Sequence, residues 1–339
     1  MKFTLPISPD YVAHWGLWEA VREIYQNALD EGGATLVYNY AAQRLEISSA
    51  TGRLTPESLV LGTTSKKQGL TKRGKFGEGY KLALLVLARL KYKVVIQTGD
   101  EIWISKLEHD PAFNTTVLNI YTMPSRLALG VRFYILNFPD DHMNEIESNT
   151  RLDPDEPDTI LDDQGQAGRI FVGGLYVTTV KGYHCGYAFR PGTVKLDRDR
   201  GMVDGFDLAY ETSRLWTDAE GSRVVELMRA EAPDVQYVEQ HAQPISSVTL
   251  RSVDWFDRTF PHAIPVSNQD EIQRATTAGI KWVLVPEAVK NIIRLVKSWI
   301  IPNEKSLIER LREFGNRYKY HLPTDGRRAL DEIIQSLEQ

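Results

Sequence analysis

The sequence predicts an α+β fold with helices covering one face of a mostly antiparallel sheet, and three observations predict it. An apolar pattern at helical spacing begins near Trp15; two β-rich runs, 35–40 and 44–48, follow it with a short polar turn between them. A second apolar run rich in helix formers, "LALLVLARL", then precedes four β-branched or alternating runs at 92–98, 101–107, 115–122 and 131–138.

Trp15, Leu17, Trp18, Val21, Ile24, Ala28 and Leu29 make the first helix, in which Trp15 and Trp18 read as core. Glu23, Asn27 and Asp30 interrupt the apolar pattern in register, because at about 3.6 residues per turn they stack on one side within two turns. A lone triad of this kind is more often a solvated face than a site. The runs at 35–40 and 44–48 read as a hairpin. Glycine and charge then dominate "LGTTSKKQGLTKRGKFGEGYK", too polar for core, which ends at the N-terminus of the "LALLVLARL" helix. Unpaired N–H groups and the helix dipole make such a junction an anion site. It is not a P-loop, since Leu82 stands where a metal-binding Ser or Thr would follow Lys81, and it follows no strand of a βαβ unit.

Three domains are expected: 1–148, 149–260 and 261–339. The acidic, proline-bearing "NTRLDPDEPDTILDDQGQ" reads as the linker, "GRIFVGGLYVTTV" opens a β-rich stretch, and from about Asp207 the pattern turns helical, with Asn303 and Thr324 as N-caps. Cys185, beside His184, reads as a small buried hydrophobe.

At 339 residues, 42% hydrophobic and 25% charged, the composition is that of a globular protein with more than one domain. A net charge of -5 advertises no general affinity for nucleic acid or an anionic membrane. One cysteine excludes an intramolecular disulfide, and the seven histidines include no helical zinc pair. The N-terminal residues carry no apolar signal core, and no run reaches the ~18 apolar residues of a membrane span. The expected address is the cytoplasm, with no membrane partner.

Taken in order, the E-x-x-x-N-x-x-D helix, the hairpin, "LGTTSKK" and "GKFGEGYK" resemble the GHKL ATPase superfamily of gyrases, heat-shock chaperones, histidine kinases and MutL proteins over residues 11–140. The style of "LGTTSKK" and "GKFGEGYKLAL" is most similar to the MORC and chaperone type. The resemblance implies a Bergerat-type helix-on-mixed-sheet sandwich, followed by a smaller β-rich transducer-like domain and a helical C-terminal region. It further implies a slow, Mg2+-dependent ATPase whose lid closes over ATP and whose nucleotide-bound state can dimerise.

By position, the resemblance makes Glu23 the general base and Asn27 the magnesium ligand, with Asp30 the last acid of that box. Lys66 and Lys67 fall on the lid, Gly74, Lys75, Phe76, Gly77, Glu78 and Gly79 form the glycine-rich box, and Lys81 adds charge toward phosphate. Arg198, in "KLDRDRG", is placed to reach the γ-phosphate; the other reading of this stretch is a charged turn in which Lys195, Arg198 and Arg200 pair with Asp197 and Asp199. The family's D-x-G-x-G box is expected at 48–52, which reads "SSATG". Ser48 then replaces the aspartate that receives the adenine amino group, Ala50 replaces the middle glycine, and Gly52 is the last position. Weaker selection of ATP over GTP is therefore expected. In "GVRFYIL", Gly130 is kept and Val131 stands in for threonine.

A nucleotide sensor with little turnover and a protein kinase acting in trans remain the alternatives, and a protein or DNA partner is open. The basic residues Lys290, Arg294, Lys297, Lys305, Arg310 and Arg312 read as a solvated amphipathic face or as such a contact surface.

Overall fold

The computed structural model of the protein describes residues 1–60, 79–151, 156–196, 203–301, 307–318 and 321–337, with the backbone alone for 307–310. The chain forms two compact units, Met1–Leu208 and Ala209–Gln339. No helix among the described residues is long and apolar enough to cross a membrane.

The first unit opens with β1 (Lys2–Leu5) and α1 (Leu17–Asp30), then the hairpin of β2 (Ala34–Asn39) and β3 (Arg44–Ser49). After α2 (Gly79–Arg89) come two long strands, β4 (Lys93–Asp110) and β5 (Thr115–Leu136), and α3 (Asp141–Asn149). β5 organises the sheet. It pairs with β4 along one edge, with β1 and then β3 along the other, and β2 lies beyond β3. Every described pairing in this sheet is antiparallel, so the mixed character expected from the resemblance is absent from the sheet that carries α1 and α2.

The four expected strands after α2 are two. Gly99, at φ +54, carries a bulge with register shifts on both sides of it, and β4 continues through to Asp110. Gly99 and Pro124 fall between the expected runs, but a bulge tolerates both within one ladder.

Alternation then sorts the side chains. Leu45, Ile47, Val94, Ile96, Phe133 and Ile135 form one core with Ala20, Val21 and Ile24 of α1 and Leu84 and Leu85 of α2. Burying each such aliphatic side chain contributes about 1.5–3 kcal/mol. Trp15 and Trp18 belong to this core, as their spacing predicts.

Arg89 ends α2 and donates to four carbonyls of the segment leading into α1: Pro9 at 3.0 Å, Tyr11 at 3.4 Å, Val12 at 3.3 Å and Trp15 at 2.6 Å. The clamp ties the start of α1 to the end of α2. Arg89→Ala is expected to lower the unfolding free energy by about 2–3 kcal/mol, the scale of charge-assisted hydrogen bonds lost at a partly buried site. Urea denaturation measures it, and a change within experimental error would show that the loop holds without the clamp.

A smaller four-stranded sheet completes this unit: β6 (Thr159–Leu161), β7 (Arg169–Val172), β8 (Leu175–Thr179) and β9 (Gly186–Phe189). It holds the parallel pair, β7 with β9. Cys185 is buried with Sγ 3.1 Å from Asp162 Oδ1. Lys195 pairs with Asp207 at 3.3 Å; Asp197, Asp199 and Arg200, the other members of the charged turn read from sequence, lie outside the described residues.

α4 (Gly205–Asp218) carries the boundary between the units. The second unit continues with α5 (Arg223–Arg229), α6 (Val238–His241), α7 (Ser247–Thr259), β10 (Ile264–Val266), α8 (Gln269–Thr277), β11 (Trp282–Leu284), α9 (Glu287–Arg294), α10 (Leu307–Arg317) and α11 (Thr324–Leu337). β10 and β11 pair in parallel across α8, a strand pair inside the region expected to be helical. Asn268 caps α8, accepting from Glu271 N–H. Thr324 is the first residue of α11 and Asn303 lies outside the described residues. The basic series also divides: Lys290 is buried, 2.9 Å from Glu271 Oε1 and 2.6 Å from Ser267 Oγ, and Lys297 pairs with Asp257.

Candidate functional site

α1 carries the three polar positions into the interior. Glu23 is buried, only 6% exposed, while Asn27 and Asp30 are half-buried one and two turns further on. Asn27 Nδ2 donates to the Glu23 carbonyl at 2.7 Å, which fixes the amide and makes Oδ1 the atom that can act as a ligand. Asp30 closes the helix, where an acid opposes the dipole at a cost of about 0.3–1 kcal/mol.

The head of α2 meets this stripe. A methyl group on Gly79 would lie 2.1 Å from Glu23 Oε2 and 3.6 Å from Asn27 Nδ2, so only glycine allows the approach. Gly79 is the first described residue of α2. A buried carboxylate and an amide therefore meet the described start of α2 at one spot.

α2 is held in that position by the segment before residue 61. Tyr80 donates to Ser58 O at 2.7 Å, and burial pushes its phenol up to about 12, so it stays a donor through the neutral range. Lys81, read from sequence as a charge facing phosphate, is fully buried and its ammonium donates to the Val60 carbonyl. The described ends of the chain on either side of 61–78 are thereby tied together.

Arg22 is the neighbour that motif reading passed over. It is buried, with Nη2 3.6 Å from Glu23 Oε1. The two carboxylate oxygens of Glu23 are thus divided, Oε1 toward Arg22 and Oε2 toward Gly79. Arg22, the one basic residue of α1, was the available signal.

The serine box is sorted by the pleat. Ser48 faces away from the helices with Arg44 and Glu46, its hydroxyl 2.6 Å from Thr35 Oγ1. Ser49 faces the helices with Leu45 and Ile47. Its hydroxyl donates to Thr51 O at 2.7 Å and accepts from Val131 N–H at 3.3 Å. Gly130 packs on the same turn, where a methyl would lie 2.0 Å from Ser49 O, and its φ is +71. Gly52, at φ +92, turns the chain beside Glu31. Lys66, Lys67, Gly74, Lys75, Phe76, Gly77, Glu78 and Arg198 lie outside the described residues.

No family model matches the chain, and no curated protein matches it. Among solved structures it is similar to the ATPase region of Saccharomyces cerevisiae topoisomerase II, with 11% identity and a TM-score of 0.29, over 48% of this chain and 48% of that one. The same region bound to ICRF-187 (dexrazoxane) matches at 9% identity and TM-score 0.30 over 48% of this chain and 62% of that one. The B-subunit of DNA gyrase from Myxococcus xanthus matches at 10% identity and TM-score 0.29 over 65% of this chain and 91% of that one. The chain spans about half the length of the first of these and under two thirds of the second. Likenesses at such TM-scores decide nothing about this chain, whose function has to be argued from its own residues.

Proposed function

We propose that the chain is a GHKL-type ATP-binding and hydrolysing switch that depends on Mg2+, with Glu23 as general base and Asn27 as metal ligand. The observation that carries this reading is the contact of Gly79 with Glu23 and Asn27, which joins the two motifs the sequence holds about fifty residues apart. The lid, from about Gly62 to Gly79 with Lys66 and Lys67 on it, and the reach of Arg198 rest on the sequence alone.

The donor set fits magnesium bound through substrate. Among the described residues no three His, Cys, Asp or Glu side chains gather to hold a metal, and one amide oxygen beside phosphate oxygens and water is the coordination Mg2+ favours. When bound, the ion supplies charge neutralisation on the phosphates.

The residues divide the remaining work. Arg22 holds the carboxylate through Oε1, and Oε2, which faces Gly79, is the oxygen that would take a proton from the attacking water. The α2 N-terminus orients the anionic substrate. Calorimetry with ATP, a non-hydrolysable analogue and GTP, each with Mg2+, tests the reading. Binding of ATP and its analogue is expected, and no heat for either at about 1 mM nucleotide ends it.

Ser49 is the member of the box on the helix side and Ser48 is on the other face, so in the proposed site Ser49 takes the base-reading role. Ser49→Asp is expected to raise the preference for ATP over GTP by roughly 10-fold or more, since a carboxylate accepts from the adenine amino group and repels the guanine carbonyl. Ser48→Asp, on the far face, is expected to leave the ratio unchanged. The reverse pattern of affinities would return the role to Ser48.

A further inference from the structure

We infer that the C-terminal hairpin of α10 and α11 is a docking surface for a second copy of this chain, the two hairpins closing into a four-helix bundle. The inference stands apart from the nucleotide reading and requires no ligand.

The helices touch at Gly315, where a methyl would lie 2.9 Å from Leu330 Cδ2. Leu311, Gly315, Leu330 and Ile334 are half-buried around that contact. Phe314 stands one position before Gly315, and Ile333 one before Ile334, each rotated by about 100° from its neighbour. The short connection makes the helices antiparallel, so equal offsets turn both side chains to the same side of the hairpin. Tyr318 and Leu337 extend the stripe, with ring centroids of Phe314 and Tyr318 4.9 Å apart. These four remain exposed in the whole chain: Phe314 47%, Tyr318 41%, Ile333 49% and Leu337 45%.

No described side chain of either helix is buried. Helices of 11 and 14 residues are marginal in water by themselves and draw their stability from packing an apolar face. That face needs a cover.

Charge selects the cover. α10 has three arginines and two glutamates, net +1; α11 has Asp325, Asp331 and Glu332 against two arginines, net -1. A two-fold axis parallel to the helices lays each α10 on the partner's α11, antiparallel and opposite in sign, whereas the perpendicular axis sets α10 on α10 and like on like. A patch that carries both signs in this order is complementary to itself, as an isologous dimer requires. The charges of the two helices cancel, which does not suit a lipid surface, since that draws a basic polar face. Helices of this length span about 16–21 Å, so the face falls short of the roughly 800 Å² per partner of a standard interface, and the dimer is expected to be micromolar.

Sedimentation of the full chain without nucleotide, from about 1 to 100 µM, is expected to show a reversible monomer–dimer equilibrium. Phe314→Glu with Ile333→Glu should remove it with circular dichroism and the main unfolding transition unchanged. Leu250→Glu, at an exposed leucine of α7, should dimerise like wild type. Cys185 is the one cysteine and is buried, so Ile333→Cys offers a second readout: a bifunctional maleimide should link two chains through residue 333 but not through Leu250→Cys. A wild-type chain monomeric at about 100 µM, a dimer that survives the double substitution, failure of residue 333 to cross-link, or association only with nucleotide would each overturn the inference.

Discussion

Glu23→Ala is expected to lower ATP turnover by about 10²- to 10⁴-fold while leaving nucleotide affinity within a few-fold of wild type. The asymmetry follows from where the carboxylate sits. Glu23 is buried, held by Arg22 on one oxygen and facing Gly79 with the other, and in the proposed role it acts on a water rather than on the resting phosphates. Asn27→Ala removes a ligand oxygen and should weaken Mg2+-dependent binding as well as turnover. The pair is therefore diagnostic: single-turnover hydrolysis beside calorimetry separates loss of chemistry from loss of binding. Wild-type turnover in Glu23→Ala would remove the general-base role, and a sensor without hydrolysis would bind nucleotide equally well in both proteins.

Periodicity made α1 and the β2–β3 hairpin legible, because each buries one face at its own spacing. It failed where the backbone departs from a simple ladder. The expected runs stop short of Gly99 and Pro124, yet the bulge at Gly99 carries β4 onward and four short runs become two long strands. β10 and β11, three residues each, are too short to leave a pattern. The serine box shows the sharper limit. The family box is aligned with Ser48 as its first position, whereas alternation from Leu45 and Ile47 puts Ser49, not Ser48, on the helix side, and a slip of one residue exchanges the faces of a sheet. Glycine at position 79 was visible as part of a phosphate-binding pattern, but its steric reason, the carboxylate of Glu23, lies on another helix and belongs to tertiary structure.

That contact yields the prediction that most directly tests the site. Gly79→Ala places a methyl 2.1 Å from Glu23 Oε2, closer than atoms tolerate, so either the carboxylate swings away or the first turn of α2 shifts. Tyr80 and Lys81 pin that turn to Ser58 and Val60, so the carboxylate is the part that yields. Turnover should then fall about 10²-fold or more, approaching the effect of losing the base itself, because an ångström of misplacement at a reacting group costs that much. Stability should fall as well, by about 1–3 kcal/mol of strain and lost pairing, despite the better helix propensity of alanine. The two substitutions should couple. With Glu23 already cut to alanine the space beside Gly79 opens, and Gly79→Ala becomes neutral or stabilising by up to about 1 kcal/mol, leaving an interaction energy of about 1–3 kcal/mol in the double-mutant cycle. Additive stabilities would mean that Gly79 and Glu23 do not meet in solution, and the site drawn from their contact would fall with them.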